Sequence, residues 1–424
     1  MRTYLYLIWT LLIYGVGLSL APLEPNFDVS DSSAWLWTIS AVMGVAGLLL
    51  AYAVARPASS IGTSTAFSIS QASVRSNWIA AFGLLCTIVD RYVIRGAGLD
   101  FDFFAARDVL ENTQPSPIGL IGAVTGALSC FALSLTVARA LSEGPLPRKE
   151  WLASGVILLT YVGISMGIGS RSTLLVSVVS TMFSVVWLRR AFGRPMHLRY
   201  WAAGLAVLTS VAAISAVLML ERLEQMGLDP FLSIEFSGYA YTVRPSDGAM
   251  VWLTAQGDAA PLWVAGFSLL QYVFHGFYEF CLLNQESLSA HTGGAVTFWL
   301  PLKFLGMLGL GGAPIDLETI SGWRAGIFTS FLGPLYLDFA GWLPVASFLL
   351  FFTLGIPAAR LRRDRLAMLP FCSVLCALCV LFPIVNLLDS ASGAYPLVAS
   401  LFITWLGRRR ADADLFSHAP RGAV

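Results

Sequence analysis

Lysine is almost missing from this chain: Lys149 and Lys303 are the only two in 424 residues. Charge of either sign is scarce, at 12% of residues, where ordinary soluble domains carry about 25%. With 57% hydrophobic residues and a mean hydropathy of +0.73, this deficit excludes a soluble globule and predicts an all-α polytopic membrane protein. A net charge of +1 leaves no basic surface for a nucleic-acid partner. The sequence has no G-x-x-x-x-G-K-[ST] loop and no dinucleotide fingerprint, which argues against an ATP-driven pump and against an enzyme fed by cytosolic nucleotide sugars. Cys372, Cys376 and Cys379 share a helix face, but no histidine stands at ligand spacing beside them. All six cysteines therefore read as small buried hydrophobes, with no disulfide and no metal or other cofactor expected.

What remains is a series of apolar runs near crossing length: Tyr4–Leu20, Ala34–Val54, Trp78–Val93, Pro117–Val137, Trp151–Ile168, Ser172–Leu188 and Tyr200–Leu220, then Leu262–Leu283, Ala295–Leu310, Tyr336–Ala359, Leu366–Leu388 and Ala394–Leu406. The first reads as an uncleaved helix rather than a leader, because Arg2 is its whole basic region and Pro22 follows the one plausible cleavage point. Arginine-bearing links around Arg56 and Arg75, Arg139 and Arg148, Arg189–Arg199, Arg360–Arg365 and the tail Arg408–Arg410 belong in the cytoplasm by the positive-inside rule, with both termini there. Twelve crossings satisfy this parity; ten do so equally if Leu262–Leu283 and Ala295–Leu310 dip in and return. The chain divides into helices over 1–220, an external cap over 221–261, a re-entrant or spanning pair with an external segment over 262–335, helices over 336–407 and a tail over 408–424.

Some arginines fall on the side the sorting rule disfavours: Arg95, Arg107, Arg171, Arg222, Arg244 and Arg324, with Arg91 just inside its helix end. Arg107 has Glu111 four residues on, and Arg222 sits between Glu221 and Glu224, so simple pairing accounts for those two. Arg91 and Arg95 are four apart on one helix face, where like charges repel and an anion would relieve them. Asp90 adjoins Arg91 but points elsewhere. Arg171 stands beside the N-terminus of the span from Ser172, whose free N–H groups suit phosphate oxygens.

A second polar group lies in Leu262–Leu283. Gln271, His275 and Glu279 recur every four residues as one stripe, so Glu279 is placed to orient His275 as a proton acceptor. The plainer alternative is a helix–helix hydrogen bond without chemistry. Tyr272 and Tyr278 flank the stripe with aromatic faces of the kind that line sugar subsites. Asp100-Phe-Asp102 is a lone paired-carboxylate motif with no other sign of an ion site.

Trp323–Trp342 opens with Arg324, holds Asp338 and contains Gly333-Pro334, which predicts a kinked or re-entrant segment. Together, Gly169-Ser-Arg-Ser172, Leu270-Gln-Tyr-Val-Phe-His-Gly-Phe-Tyr-Glu279 and Ile327-Phe-Thr-Ser-Phe-Leu-Gly-Pro-Leu-Tyr-Leu-Asp-Phe-Ala-Gly341 resemble, in order and spacing, the Wzy-type O-antigen polymerases of bacterial inner membranes. Asp90-Arg91 at the end of an early span fits the same pattern. The resemblance implies 10–12 transmembrane helices in a GT-C-like architecture with an outer capping segment. It implies a metal-independent transferase that joins undecaprenyl-pyrophosphate-linked repeat units on the periplasmic face. Its partners would be the lipid-linked glycan donor and acceptor, membrane lipids and a chain-length regulator. Within that reading Arg91, Arg95, Arg171 and Arg324 hold the pyrophosphate, His275 with Glu279 takes the acceptor proton, and Asp338 binds acceptor sugar or positions Arg324. An O-antigen ligase and a lipid-linked oligosaccharide flippase are the alternatives. A flippase would place basic residues deep in several spans, and here they collect at one face.

Overall fold

Apolar runs broken by proline, glycine and polar links give a succession of helices, and a computed structural model shows how they pack. It describes residues 3–55, 68–97, 109–110, 113, 116–166, 171–195, 197–225, 227, 229, 231, 234–235, 238–286, 291–307, 310, 330–359 and 366–407. Helix α1 is Thr3–Leu20; β1, Leu23–Pro25, follows; α2, Asp31–Val54, is started by Ser30, whose side chain accepts from the Ser33 N–H. Helix α3, Ile69–Ile88, runs on as a widened π-type turn over Val89–Ile94. Helix α4, Pro117–Gly126, tightens to 3₁₀ turns over Ala127–Phe131 and resumes as α5, Ala132–Glu143. Helices α6, Arg148–Met166, α7, Arg171–Ala191, and α8, Leu198–Gln225, complete the first half.

Strand β2, Val243–Pro245, then pairs antiparallel with β1, so the cap is tied to the first link of the chain. Glu24 stands opposite Arg244 in that pairing, which gives this arginine a carboxylate neighbour. Helices α9, Asp247–Thr254, α10, Ala260–Gln285, and α11, Trp299–Met307, follow, then α12, Leu332–Phe339, α13, Leu343–Ala359, α14, Leu369–Leu381, and α15, Ala391–Leu406.

Among the described residues six segments are long and apolar enough to cross a bilayer: Thr3–Leu20, Asp31–Val54, Ile69–Ile94, Pro117–Glu143, Ser172–Ala191 and Leu332–Ala359. By helix length and hydropathy the chain is an all-α, multi-pass membrane protein. Ile13, Leu20, Trp78 and Leu159 accordingly point outward without cover, as lipid-facing side chains do.

Small residues decide where the helices meet, because helix association in lipid depends on close backbone approach. On α2, a Cβ at Gly47 would stand 2.3 Å from the Phe348 carbonyl oxygen of α13, and Gly355 of α13 meets the Ala51 methyl in return. Ser347 donates to the Ser40 carbonyl across the same seam, at 2.8 Å. Between α3 and α4, Gly83 faces the Gly126 backbone and Gly122 faces Thr87. Helix α14 is buried on nearly every side and forms the hub, packed on α1, α7 and α15.

Three spans differ from expectation. Among the described residues of Ala295–Leu310 helix covers Trp299–Met307, about 14 Å, shorter than a bilayer crossing needs. The run Leu366–Leu388 stops being helical after Leu381, and its continuation pairs with another segment instead: Phe331 N–H donates to the Phe382 carbonyl and Ser330 bridges Val385. In the Trp323–Trp342 stretch the break falls not at Gly333-Pro334 but at Ala340, held at φ 45°. Pro334 instead lies in the first turn of α12, where a missing N–H costs no hydrogen bond.

Candidate functional site

The end of the bundle where α3, α6, α7 and α15 converge gathers the first predicted group. Arg91 lies in the π turn and sends Nη1 to the Ile164 carbonyl of α6, at 3.2 Å. Among the described residues no carboxylate comes within ion-pair distance of it. Tyr161, one turn before Ile164, lies within electrostatic reach of both Arg91 and Tyr395 of α15. Ser392, at the start of that same helix, meets Ser172 Oγ at 2.7 Å and Thr173 Oγ1 at 3.1 Å. Arg91, through α6, and the N-terminus of α7, through Ser392, are thus tied to neighbouring helices of one end of the bundle. Arg171 is the first residue of α7; its side chain, like Arg324, Arg107 and the Asp100–Asp102 pair, lies outside the described residues.

Arg95 departs from its predicted role. Its Nε donates to Thr113 Oγ1 at 2.8 Å, one Nη2 contact goes to the Thr113 carbonyl at 2.6 Å and another to Leu110, and Nη1 faces Asp90 Oδ2 at 3.7 Å. These contacts make Arg95 part of the scaffold. Asp90 turns away from Arg91, as its place in the sequence predicts, and is the partner of Arg95. A π turn holds more than four residues, so residues five apart come round to one side. The other Asp90 oxygen caps α4, accepting from Ser116 N at 3.0 Å and Ser116 Oγ at 2.5 Å. Gly119 makes room, since a Cβ there would sit 2.3 Å from the carboxylate carbon.

The α10 stripe is real and fully buried, and it faces the cap. Gln271 Nε2 donates to the Ile234 and Val243 carbonyls at 3.1 and 3.0 Å. Glu279 Oε1 accepts from Thr242 Oγ1 at 2.8 Å. Between them His275 packs its ring on Tyr239, centroids 4.4 Å apart, with Tyr272 also alongside. Side chains on a helix lean back over the preceding turn. His275 Nδ1 accordingly meets the carbonyls of Tyr272 at 2.8 Å and Gln271 at 3.2 Å. A carbonyl only accepts, so Nδ1 is the donor in these contacts and carries a proton. The ring's orientation thus comes from its own helix and from Tyr239, where the sequence pointed to Glu279. Tyr278 is buried edge-on against Phe277, at 5.4 Å.

Asp338, 2% exposed, uses both oxygens on one neighbour segment: Oδ1 takes the Val296 N–H at 2.9 Å and the Thr292 hydroxyl, and Oδ2 takes the Thr297 N–H at 2.8 Å. It holds the turns that lead into α11. Asp389, in the linker between α14 and α15, is a site residue the sequence reading passed over. Its carboxyl is raised to about 8, first by burial and then by the neighbouring negative charge of Asp338, although the residue keeps some open surface. The available signal was an acidic residue standing between two apolar helices. No group of three or more His, Cys, Asp or Glu side chains suited to a metal ion occurs among the described residues.

Fold and hydropathy thus define a class, the multi-pass all-α membrane proteins. Compared with family models, with curated proteins and with solved structures, the chain gives no match.

Proposed function

We propose that this protein is a polysaccharide polymerase of the bacterial inner membrane, joining undecaprenyl-pyrophosphate-linked repeat units by metal-independent glycosyl transfer. The proposed architecture is GT-C-like, with ten to twelve crossings and both termini cytoplasmic. The observation that carries the reading is Arg91: a half-buried guanidinium that reaches the Ile164 carbonyl, with no carboxylate within ion-pair distance among the described residues. Such a cation is costly unless it serves a ligand or a wet cavity. A pyrophosphate leaving group gains charge as the glycosidic bond breaks, and fixed donors at that point lower the barrier. Arg91, Arg171 and Arg324 are the proposed anion clamp, with Arg95 now positioning the turn that carries Arg91.

The acceptor hydroxyl loses its proton as it attacks the anomeric carbon of the donor. His275, whose Nδ1 is held by backbone carbonyls of its own helix, is the proposed acceptor of that proton. Glu279 and Asp338 act by positioning, the one holding the cap and the other the turns before α11. Tyr272 supplies an aromatic face next to the imidazole. The donor bond is already activated, so no nucleotide is consumed.

The test is elongation by the full-length protein in lipid nanodiscs, supplied only with undecaprenyl-pyrophosphate-linked repeat units. A ladder of lengthening products supports the polymerase. No elongation without a separate core acceptor, but transfer once it is added, would replace it with the ligase.

A further inference from the structure

A serine or threonine hydroxyl buried in a transmembrane helix commonly donates to the carbonyl one turn back. Ser40, Thr87, Thr125, Thr136 and Ser165 all do so here, at 2.6–2.9 Å. Helix α7 behaves differently. Thr173, Ser177, Ser180, Thr181 and Ser184 follow one another along it at spacings of a turn, and Ser177 Oγ turns outward to Cys130 Sγ at 3.3 Å. The hydroxyls of Ser180, Thr181 and Ser184 meet no hydrogen-bond partner, although Ser180 and Ser184 are only 1% exposed.

The facing elements repeat the pattern. Helix α7 packs on α5, α6 and the 3₁₀ stretch, where Ser129 Oγ is wholly buried and unpartnered. One layer behind, on α3, Ser76 Oγ and Asn77 Oδ1 are unpartnered as well. Asn77 Nδ2 reaches Ser154 Oγ at 3.1 Å, and that hydroxyl meets Thr136 Oγ1 at 2.6 Å, so α3, α5 and α6 are knotted together there. Of the ten buried side-chain atoms without a partner among the described residues, six lie on α3, the 3₁₀ stretch and α7. Folded proteins rarely leave such atoms bare, and a cluster of them across neighbouring helices indicates something polar between those helices.

We propose that this seam binds a file of internal water. Water supplies both donors and acceptors to hydroxyls of either sense, and among the described residues the seam offers no charged group to hold an ion. From Ser177 to Ser184 the file spans about 10 Å along α7. At one end stand Cys130, which meets Ser177 Oγ, and Tyr161, within electrostatic reach of both Cys130 and Arg91. At the other end lies the Asn77–Ser154–Thr136 knot. The file thus solvates, from inside the bundle, the surroundings of a cation withdrawn from bulk water. The proposal does not depend on what Arg91 binds. The hub helix α14 is the dry counterpart: Cys372, Cys376 and Cys379 are equally buried there, and Ser373 is satisfied by the Pro370 carbonyl at 2.7 Å.

Microsecond X-ray radiolysis of the full chain in lipid nanodiscs, in ¹⁸O-labelled water with mass-spectrometric readout, tests this. Bound water generates hydroxyl radicals where it sits, so it marks its neighbours whatever their exposure. Cys130 should be oxidised with incorporated label about tenfold faster than Cys372, Cys376 and Cys379. Equal rates at all four would overturn the proposal, and this comparison within the wild-type protein requires no variant to fold. In a second arm, Ser180→Val with Ser184→Val fills the seam. Cys130 labelling should fall to the level of the α14 cysteines while that of exposed Trp252 stays unchanged; undiminished Cys130 labelling in the folded variant would also count against bound water.

Discussion

Asp90 Oδ2 faces Arg95 Nη1 at 3.7 Å, five residues along the same helix. An α-helix would turn these two side chains well away from each other; the π turn over Val89–Ile94 brings them to one side. The same carboxylate starts α4 through Ser116, so one buried group sets the path of the chain on both sides of a long link.

Asp90→Asn keeps the shape and removes the charge. It should destabilise the protein by about 3 kcal/mol, as losing one member of a buried pair does, and lower the melting temperature in detergent by several degrees. Gly119→Ala, which brings no chemistry, should do likewise by pushing a methyl into the same carboxylate. A wild-type melting temperature in both variants would mean that the contact carries no weight.

Arg91→Ala should lower turnover in the elongation assay by about a hundredfold or more with little effect on melting, the scale seen when one donor to a developing oxyanion is lost. Arg91→Lys keeps the charge but not the two-pronged geometry and should restore only a small part. Arg95→Lys should reverse the pattern, lowering stability more than rate. Full polymer length from Arg91→Ala protein would take this residue out of the donor site.

Gln271→Leu removes the amide that bridges the Ile234 and Val243 carbonyls while preserving bulk. Limited proteolysis should then cut between residues 234 and 245 about tenfold faster than in wild type, because local opening follows the free energy of the contacts that close it. Thr242→Val, which removes the hydroxyl that donates to Glu279, should add to the effect.

Asp389 gives a pH dependence of definite sign. Its carboxyl titrates near 3.8 in an exposed chain and is raised to about 8 in the folded protein. The folded state therefore holds the proton more tightly than the unfolded chain does. This contribution to stability is complete below about pH 4 and is lost as pH rises towards 8. Melting temperature should fall between pH 5 and 8, and Asp389→Asn, which mimics the protonated form, should flatten that slope. A variant that keeps the wild-type slope would assign the dependence to another group.

Span positions were legible from residue order alone. Asp31–Val54 and Arg171–Ala191 lie within a few residues of the apolar runs Ala34–Val54 and Ser172–Leu188, because hydropathy adds up one residue at a time and needs no neighbour. The every-fourth-residue stripe of Gln271, His275 and Glu279 was visible for the same reason. What it faces was not: the cap that bonds Gln271 Nε2 and Glu279 Oε1 comes from 28 to 37 residues earlier in the chain. Only packing determined that Arg95 would be bound by Asp90 and the 110–113 carbonyls while Arg91 met a single carbonyl. Four residues of spacing make two arginines look alike, whereas a hydrogen-bond partner depends on which backbone arrives from elsewhere and at what angle.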